Sequence, residues 1–153
     1  MSDLRDLYQE LILDHGRRPR NFGPLEGATH DAVGHNPLCG DRITVHLVLN
    51  DDVVRGVSFE GQGCAISQAS ASLLTEAVKG KPLKDVLSLF RKVTALVTGR
   101  DEDGALETEV ELGKLAVFEG IRQYPMRVKC ATLAWHTLHN ALEGKAADVA
   151  VTE

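Results

Sequence analysis

The sequence predicts an α+β fold: a small antiparallel three-stranded sheet covered by helices. Strand-like alternation is confined to residues 29–59. Helical periods occupy most of the chain beyond residue 65. Glycine, proline or an Asn-Asp-Asp run marks most of the changes between them.

The elements run in order. Leu4, Leu7, Leu11 and Ile12 form one helical stripe, with Ser2 or Asp3 as N-cap and Gly16 and Pro19 as the stop. Residues 17–27 lack a period and carry Pro19, Gly23, Pro24 and Gly27, which reads as a loop. A short strand covers residues 29–34. A second covers 43–49, where Ile43, Val45, Leu47 and Leu49 alternate with Thr44, His46 and Val48. A third covers 53–59, and Asn50-Asp51-Asp52 supplies a hairpin turn before it.

Helices must cover the apolar face of that meander. Ile66, Ala69, Leu73, Ala77 and Val78 keep a helical period up to Gly80. Pro82 opens another helix, with Leu83, Val86, Leu87 and Phe90 on one face and its stripe continuing to Leu96. Residues 99–104 read as an acidic turn with an exposed tip. Residues 111–123 read as helical, with Leu112, Leu115, Ala116 and Ile121 inward. A loop with Pro125 spans 124–129, and the last helix starts near Cys130 and ends at Gly144. Residues 1–144 are therefore expected to be a single domain, and 145–153 a flexible C-terminal tail.

The 153 residues suit one domain with a real core. A formal charge of −5 argues against nucleic acid, whose phosphates need a concentrated basic face. Arg17, Arg18 and Arg20 form the one basic cluster, read either as a solvated loop or as a patch for an acidic partner protein. No apolar run is long enough for a bilayer, and the N-terminus does not read as a signal peptide, so no membrane association and a cytoplasmic location are expected.

The chemistry lies in three cysteines, an odd number that excludes complete intrachain pairing. Cys39 follows Asn36-Pro37-Leu38 and precedes Gly40-Asp41. Gly40 lets the backbone turn so that the side chains of Cys39 and Asp41 can converge. Cys64 follows Gly61-Gln62-Gly63 at a strand-to-helix junction, where a helix N-terminus favours thiolate. Cys130 is expected at the entry to the last helix beside Arg127 and Lys129, again favouring thiolate. Three thiolates and the Asp41 carboxylate would complete a tetrahedral zinc shell. The bland alternative is a cysteine buried as a small hydrophobe, which suits one thiol better than three beside turns and helix starts. No Cys-x-x-Cys pair exists, so zinc-finger and thioredoxin patterns are absent. A cysteine hydrolase with Cys64 as nucleophile would need a placed histidine and an orienting Asn or Asp, which the sequence does not supply. His136 and His139 lie at i, i+3, a spacing that suits a surface or core-edge role better than ligation.

Four stretches carry a resemblance. They are Tyr8 with Ile12-Leu13-Asp14-His15 and Pro19-Arg20-Asn21-Phe22-Gly23; Asn36-Pro37-Leu38-Cys39-Gly40-Asp41; Gly61-Gln62-Gly63-Cys64-Ala65-Ile66-Ser67-Gln68-Ala69-Ser70; and Val128-Lys129-Cys130-Ala131. In this order they resemble the NifU/IscU-like iron–sulfur cluster assembly family over nearly the whole chain to about Gly144. The resemblance implies an IscU/NifU N-terminal-like fold, with the family's cysteines at Cys39, Cys64 and Cys130 and its aspartate at Asp41.

Two departures and one length difference are similar to the SufU branch of that family. Lys129 stands where IscU-type scaffolds have a histidine before the third cysteine. The Leu-Pro-Pro-Val-Lys motif is replaced by Tyr124-Pro125-Met126-Arg127-Val128-Lys129. The interval between Cys64 and Cys130 is longer, with extra residues around 90–109. That branch implies a zinc-dependent sulfurtransferase working with a SufS-type cysteine desulfurase and the downstream Suf cluster-assembly machinery. Implied metal ligands are Cys39, Asp41, Cys64 and Cys130. Cys39 is the implied persulfide acceptor, and Arg127 the arginine that steadies Asp41 or an incoming persulfide. The alternative within the family is an IscU-type scaffold holding iron or a [2Fe–2S] cluster on the same cysteines. Lys129 argues against it, since an ammonium has no lone pair to replace imidazole. A purely structural zinc domain is a further alternative.

Overall fold

The computed structural model describes residues 2–37, 39–100, 111–143 and 150–151. Helix α1 spans Ser2–Arg17. Strands β1 (His30–Asn36), β2 (Asp41–Asn50) and β3 (Val53–Gln62) come next as an antiparallel meander. Asp51 and Asp52 both adopt left-handed backbone, at φ 55° and 59°. That is the twist a two-residue hairpin needs, so the expected turn holds, and short Asp side chains tolerate it. Alternation puts Ala32, Ile43, Val45, Leu47, Val57 and Phe59 on the inner face. Register runs Leu49↔Val54 and Val48↔Gly56, which leaves Arg55 as an extra residue. This bulge lets Val54 and Val57 both turn inward although they are three apart.

Helices α2 (Ala65–Val78), α3 (Leu83–Thr98) and α4 (Pro125–Leu142) cover that face, with a 3-10 helix at Gly113–Gln123. Helix α4 lies against α2, β1 and β2, and α1 lies against α2. Trp135, Phe59, Phe118, Leu73, Leu89 and Leu133 are fully buried where these layers meet. Removing so many large apolar side chains from water is the main drive for the fold. The open edge of β3 is covered by the chain after α1. The Phe59 N–H donates to the Asn21 carbonyl at 3.0 Å, and the Gly23 N–H donates to the Phe59 carbonyl at 2.8 Å.

Several expectations are corrected. The last helix begins at Pro125, not near Cys130, because proline at the first helical position has the right φ and no N–H to leave unpaired. The inward stripe of α3 is Val86, Leu89, Val93, Leu96 and Val97, while Leu87 and Phe90 are only half-buried. Phe90 instead stacks on His139, with ring centroids 4.7 Å apart. Residues 113–123 keep a 3-10 period, so Leu115 and Phe118, three apart, are buried, and Ala116 is half-buried. Two residues of the expected tail, Ala150–Val151, pair parallel to β1 as β4, giving a sheet of order β3-β2-β1-β4. The expected acidic tip lies outside the described residues beyond Arg100. Among the described residues, no helix is long and apolar enough to cross a membrane.

Candidate metal centre

One end of the inner sheet face breaks its apolar pattern. Asp41 has the same parity as Ile43, Val45 and Leu47, and Asn36 the same parity as Ala32, so both point inward. They face each other across the β1–β2 register, and both are fully buried. Between them the chain turns, and the Gly40 N–H donates to the Asn36 carbonyl at 2.9 Å. Gly40 holds φ +72°, as the sharp turn requires, and brings Cys39 to the same point as Asp41.

Cys64 is the N-cap residue of α2. Its backbone is extended and its sulfur accepts the Ser67 N–H at 3.5 Å. The Asp41 carboxylate reaches over to it. Oδ1 accepts the Cys64 N–H at 2.9 Å, and Oδ2 lies 3.9 Å from the Cys64 sulfur. Gly63 makes this approach possible, since a Cβ there would stand 2.7 Å from Asp41 Oδ1. Cys130 enters from α4, six residues into the helix, so the expected effect of a helix start on this thiol is absent. Its sulfur lies 3.6 Å from the Cys39 sulfur and accepts a hydrogen bond from Asn36 Nδ2 at 3.7 Å.

Three of the four expected ligands meet in one place. One donor atom each from Cys39, Asp41 and Cys130 falls within 4.8 Å of the other two. Cys64 adjoins that group through Asp41. A tetrahedral zinc with bonds of about 2.3 Å to sulfur separates its sulfurs by roughly 3.8 Å, and the 3.6 Å contact between the Cys39 and Cys130 sulfurs lies near that edge length. Soft thiolates with one hard carboxylate fit zinc and leave the residues of this site suited to hold it.

The two neighbouring thiols shift in opposite directions. The Cys130 thiol hydrogen-bonds to Cys64 and draws its pKa down to about 6, and the Ser67 N–H helps. Cys130 moves the other way, pushed up because its proton serves Cys64 and because it is buried. A proton thus holds the two sulfurs together where a metal ion would release it. Of the remaining predicted site residues, Arg127 is exposed on the first turn of α4, one turn before Cys130, and Lys129 is half-buried. Sequence reasoning misses Asn36, because the strand-like stretch at 29–34 stops two residues short of the end of β1. Extending its alternation by two residues would have turned Asn36 inward.

These features define a class: a small α+β domain whose sheet end, helix N-terminus and packed helix bring three thiols and a carboxylate into one neighbourhood. The chain belongs to the NifU-like N-terminal domain family, whose model matches residues 7–131. It is 38% identical over 141 residues to the zinc-dependent sulfurtransferase SufU of Bacillus subtilis, covering 92% of each chain. It is 40% identical over 137 residues to the iron–sulfur cluster assembly scaffold protein IscU of Thermotoga maritima, covering 90% of this chain and 93% of that one. Among solved structures, it is similar to a SUF-system scaffold protein of Fervidobacterium islandicum, at TM-score 0.76 and 33% identity, covering 90% of this chain and 98% of that one.

Proposed function

We propose that this protein is a zinc-dependent sulfurtransferase that accepts persulfide sulfur from a SufS-type cysteine desulfurase for iron–sulfur cluster assembly. The convergence of Cys39, Asp41 and Cys130, with Cys64 against Asp41, carries the reading. The sulfurtransferase name of the Bacillus relative supports it. The four residues are the proposed ligands, within a single domain of residues 1–144. Zinc, when bound, keeps the thiols deprotonated at neutral pH and has no redox states of its own.

Cys39 is the proposed acceptor. It is partly exposed on a turn, while Cys130 is sealed in the core and Cys64 is held as an N-cap. In the transfer, the Cys39 thiolate attacks the outer sulfur of the desulfurase persulfide. A new S–S bond forms at Cys39 as the desulfurase S–S bond breaks, and the desulfurase cysteine leaves as thiolate. No net oxidation occurs. Exposed Arg127, one turn before Cys130, is proposed to offer its guanidinium to the incoming anionic sulfur. The cytoplasm, which keeps thiols reduced, is the compartment this chemistry needs.

A cluster-building scaffold is the second reading, favoured by the scaffold names of the Thermotoga and Fervidobacterium relatives. Metal and sulfide analysis of protein purified without added metal separates the two. About one zinc per chain supports transfer, and an iron–sulfur chromophore supports the scaffold. The transfer reading is tested by mixing Cys39→Ala protein with a SufS-type desulfurase and cysteine. The expected result is a folded chain that gains no sulfur by mass and does not stimulate alanine release. Sulfur still arriving on that variant would move the acceptor to another thiol.

A further inference from the structure

Asn36 is fully buried, and a buried amide must place its donors. Three of its contacts touch the metal-site framework. Its backbone pairs in register with Asp41. Its carbonyl accepts the Gly40 N–H at 2.9 Å and so holds the turn between Cys39 and Asp41. Its Nδ2 donates to the Cys130 sulfur at 3.7 Å. One residue thus joins the strand that carries the carboxylate, the turn that carries one thiol and the helix that carries another.

Two amide donors face the sulfurs: the Ser67 N–H points at Cys64 at 3.5 Å and Asn36 Nδ2 at Cys130 at 3.7 Å. An N–H directed at a thiolate withdraws electron density and fixes the sulfur's direction, as partners behind metal ligands do. For Cys64 that donor is backbone. For Cys130 it is a side chain.

We propose that Asn36 is a positioning residue that keeps the Cys130 thiolate as a retained metal ligand and directs reactivity to Cys39. This rests on the four-ligand reading above. With its negative charge damped by the amide, Cys130 is the poorer nucleophile and the better-oriented ligand.

The test uses the full-length protein loaded with cobalt(II), which reports thiolate ligation in its absorption spectrum, and with zinc under chelator competition. Asn36→Leu keeps the shape and removes the donor, and Asn36→Ala removes the donor and the volume. Both are expected to move the sulfur-to-cobalt charge-transfer band to longer wavelength while the tetrahedral ligand-field bands persist. Both should weaken zinc binding roughly 10–100-fold, the range seen when such supporting partners are lost. A purely structural role would leave the band of a folded Asn36→Leu protein in place, and that result overturns the proposal alone. Absence of a thiolate–cobalt band from the unaltered protein overturns the four-ligand reading and this assignment with it. Loss of the fold in both variants makes Asn36 a folding residue and also overturns the proposal.

Discussion

Helix α2 carries two buried polar clusters, and they differ in one respect that separates chemistry from architecture. At its N-terminus, Cys64 meets Asp41, which groups with Cys39 and Cys130, a set rich in acceptors and anionic when ionised. Two turns further on, Ser72, Thr75 and Glu76 meet the end of α1 and the loop after it. There His15 Nδ1 bonds Ser72 Oγ at 2.7 Å, and the Arg20 N–H donates to the same oxygen at 2.9 Å. Asn21 Nδ2 donates to Thr75 Oγ1 at 3.0 Å, and Arg20 pairs with Asp14 at 2.7 Å. The Ser72 hydroxyl, already accepting from Arg20, can give its hydrogen to neutral His15 Nδ1, and Nε2 then faces Glu76 at 3.6 Å. This second cluster matches donors with acceptors and needs nothing from outside. The first lacks a positive centre of its own among the described hydrogen bonds. A buried set is stable only when its charges are compensated, so the first is suited to a cation and the second to tying α1 to α2.

The largest expected effect breaks the first cluster. Cys64→Ser and Cys130→Ser should each weaken zinc by roughly 100-fold or more, because each removes a soft thiolate that zinc prefers. Asp41→Ala should cost less, since water can refill a carboxylate position. Chelator competition ranks the three, and equal or greater loss from Asp41→Ala would contradict the ordering. Next comes Gly63→Ala, which puts a Cβ where only 2.7 Å separates it from Asp41 Oδ1. Gly63 is exposed, so the fold should persist while zinc weakens roughly 10-fold as the carboxylate is displaced.

Breaking the second cluster should do the reverse. His15→Ala is expected to lower unfolding free energy by about 1–3 kcal/mol, because Ser72 loses a buried partner, with zinc affinity unchanged. Denaturant unfolding and chelator competition on the same sample read both quantities. A loss of zinc without a loss of stability would erase the contrast. The smallest effect is a pH dependence. Burial, with the nearby Arg20 charge second, holds His15 below its ordinary value of 6.5, while Glu76 and Asp14 oppose and Lys114 adds slightly. The unfolded chain therefore binds the proton more readily, so stability is full above about 6.5 and falls as pH drops below it. His15→Ala should flatten that slope. Asp14, held below its ordinary 3.8 first by its hydrogen bond with Arg20, loses its contribution only in a more acidic window.

Much of the site was legible in the sequence. Gly40 beside Cys39 and glycines before Cys64 mark places where the chain turns so that side chains can converge, and both hold. Local signals failed at Cys130. A proline inside residues 124–129 reads as a loop, yet Pro125 opens the helix, so the thiol sits within α4 rather than at its start. The 3-10 period at Leu112, Leu115, Phe118 and Ile121 was also hidden, because a window tuned to 3.6 residues selects Ala116 over Phe118.

By itself the sequence determined the α+β order of strands and helices, the hairpin at Asp51-Asp52, the turn at Gly40 and the residues able to bind a soft metal. These depend on short-range sterics and on period, which a few neighbouring residues specify. Only the tertiary structure decided that Asn36 reaches Cys130, that Asp41 spans to the α2 N-terminus and that His15 is sealed against Ser72. Those contacts join residues 94, 23 and 57 positions apart. Their distances arise from how α4 and α2 pack on the sheet end, a sum of many apolar contacts that no local pattern encodes.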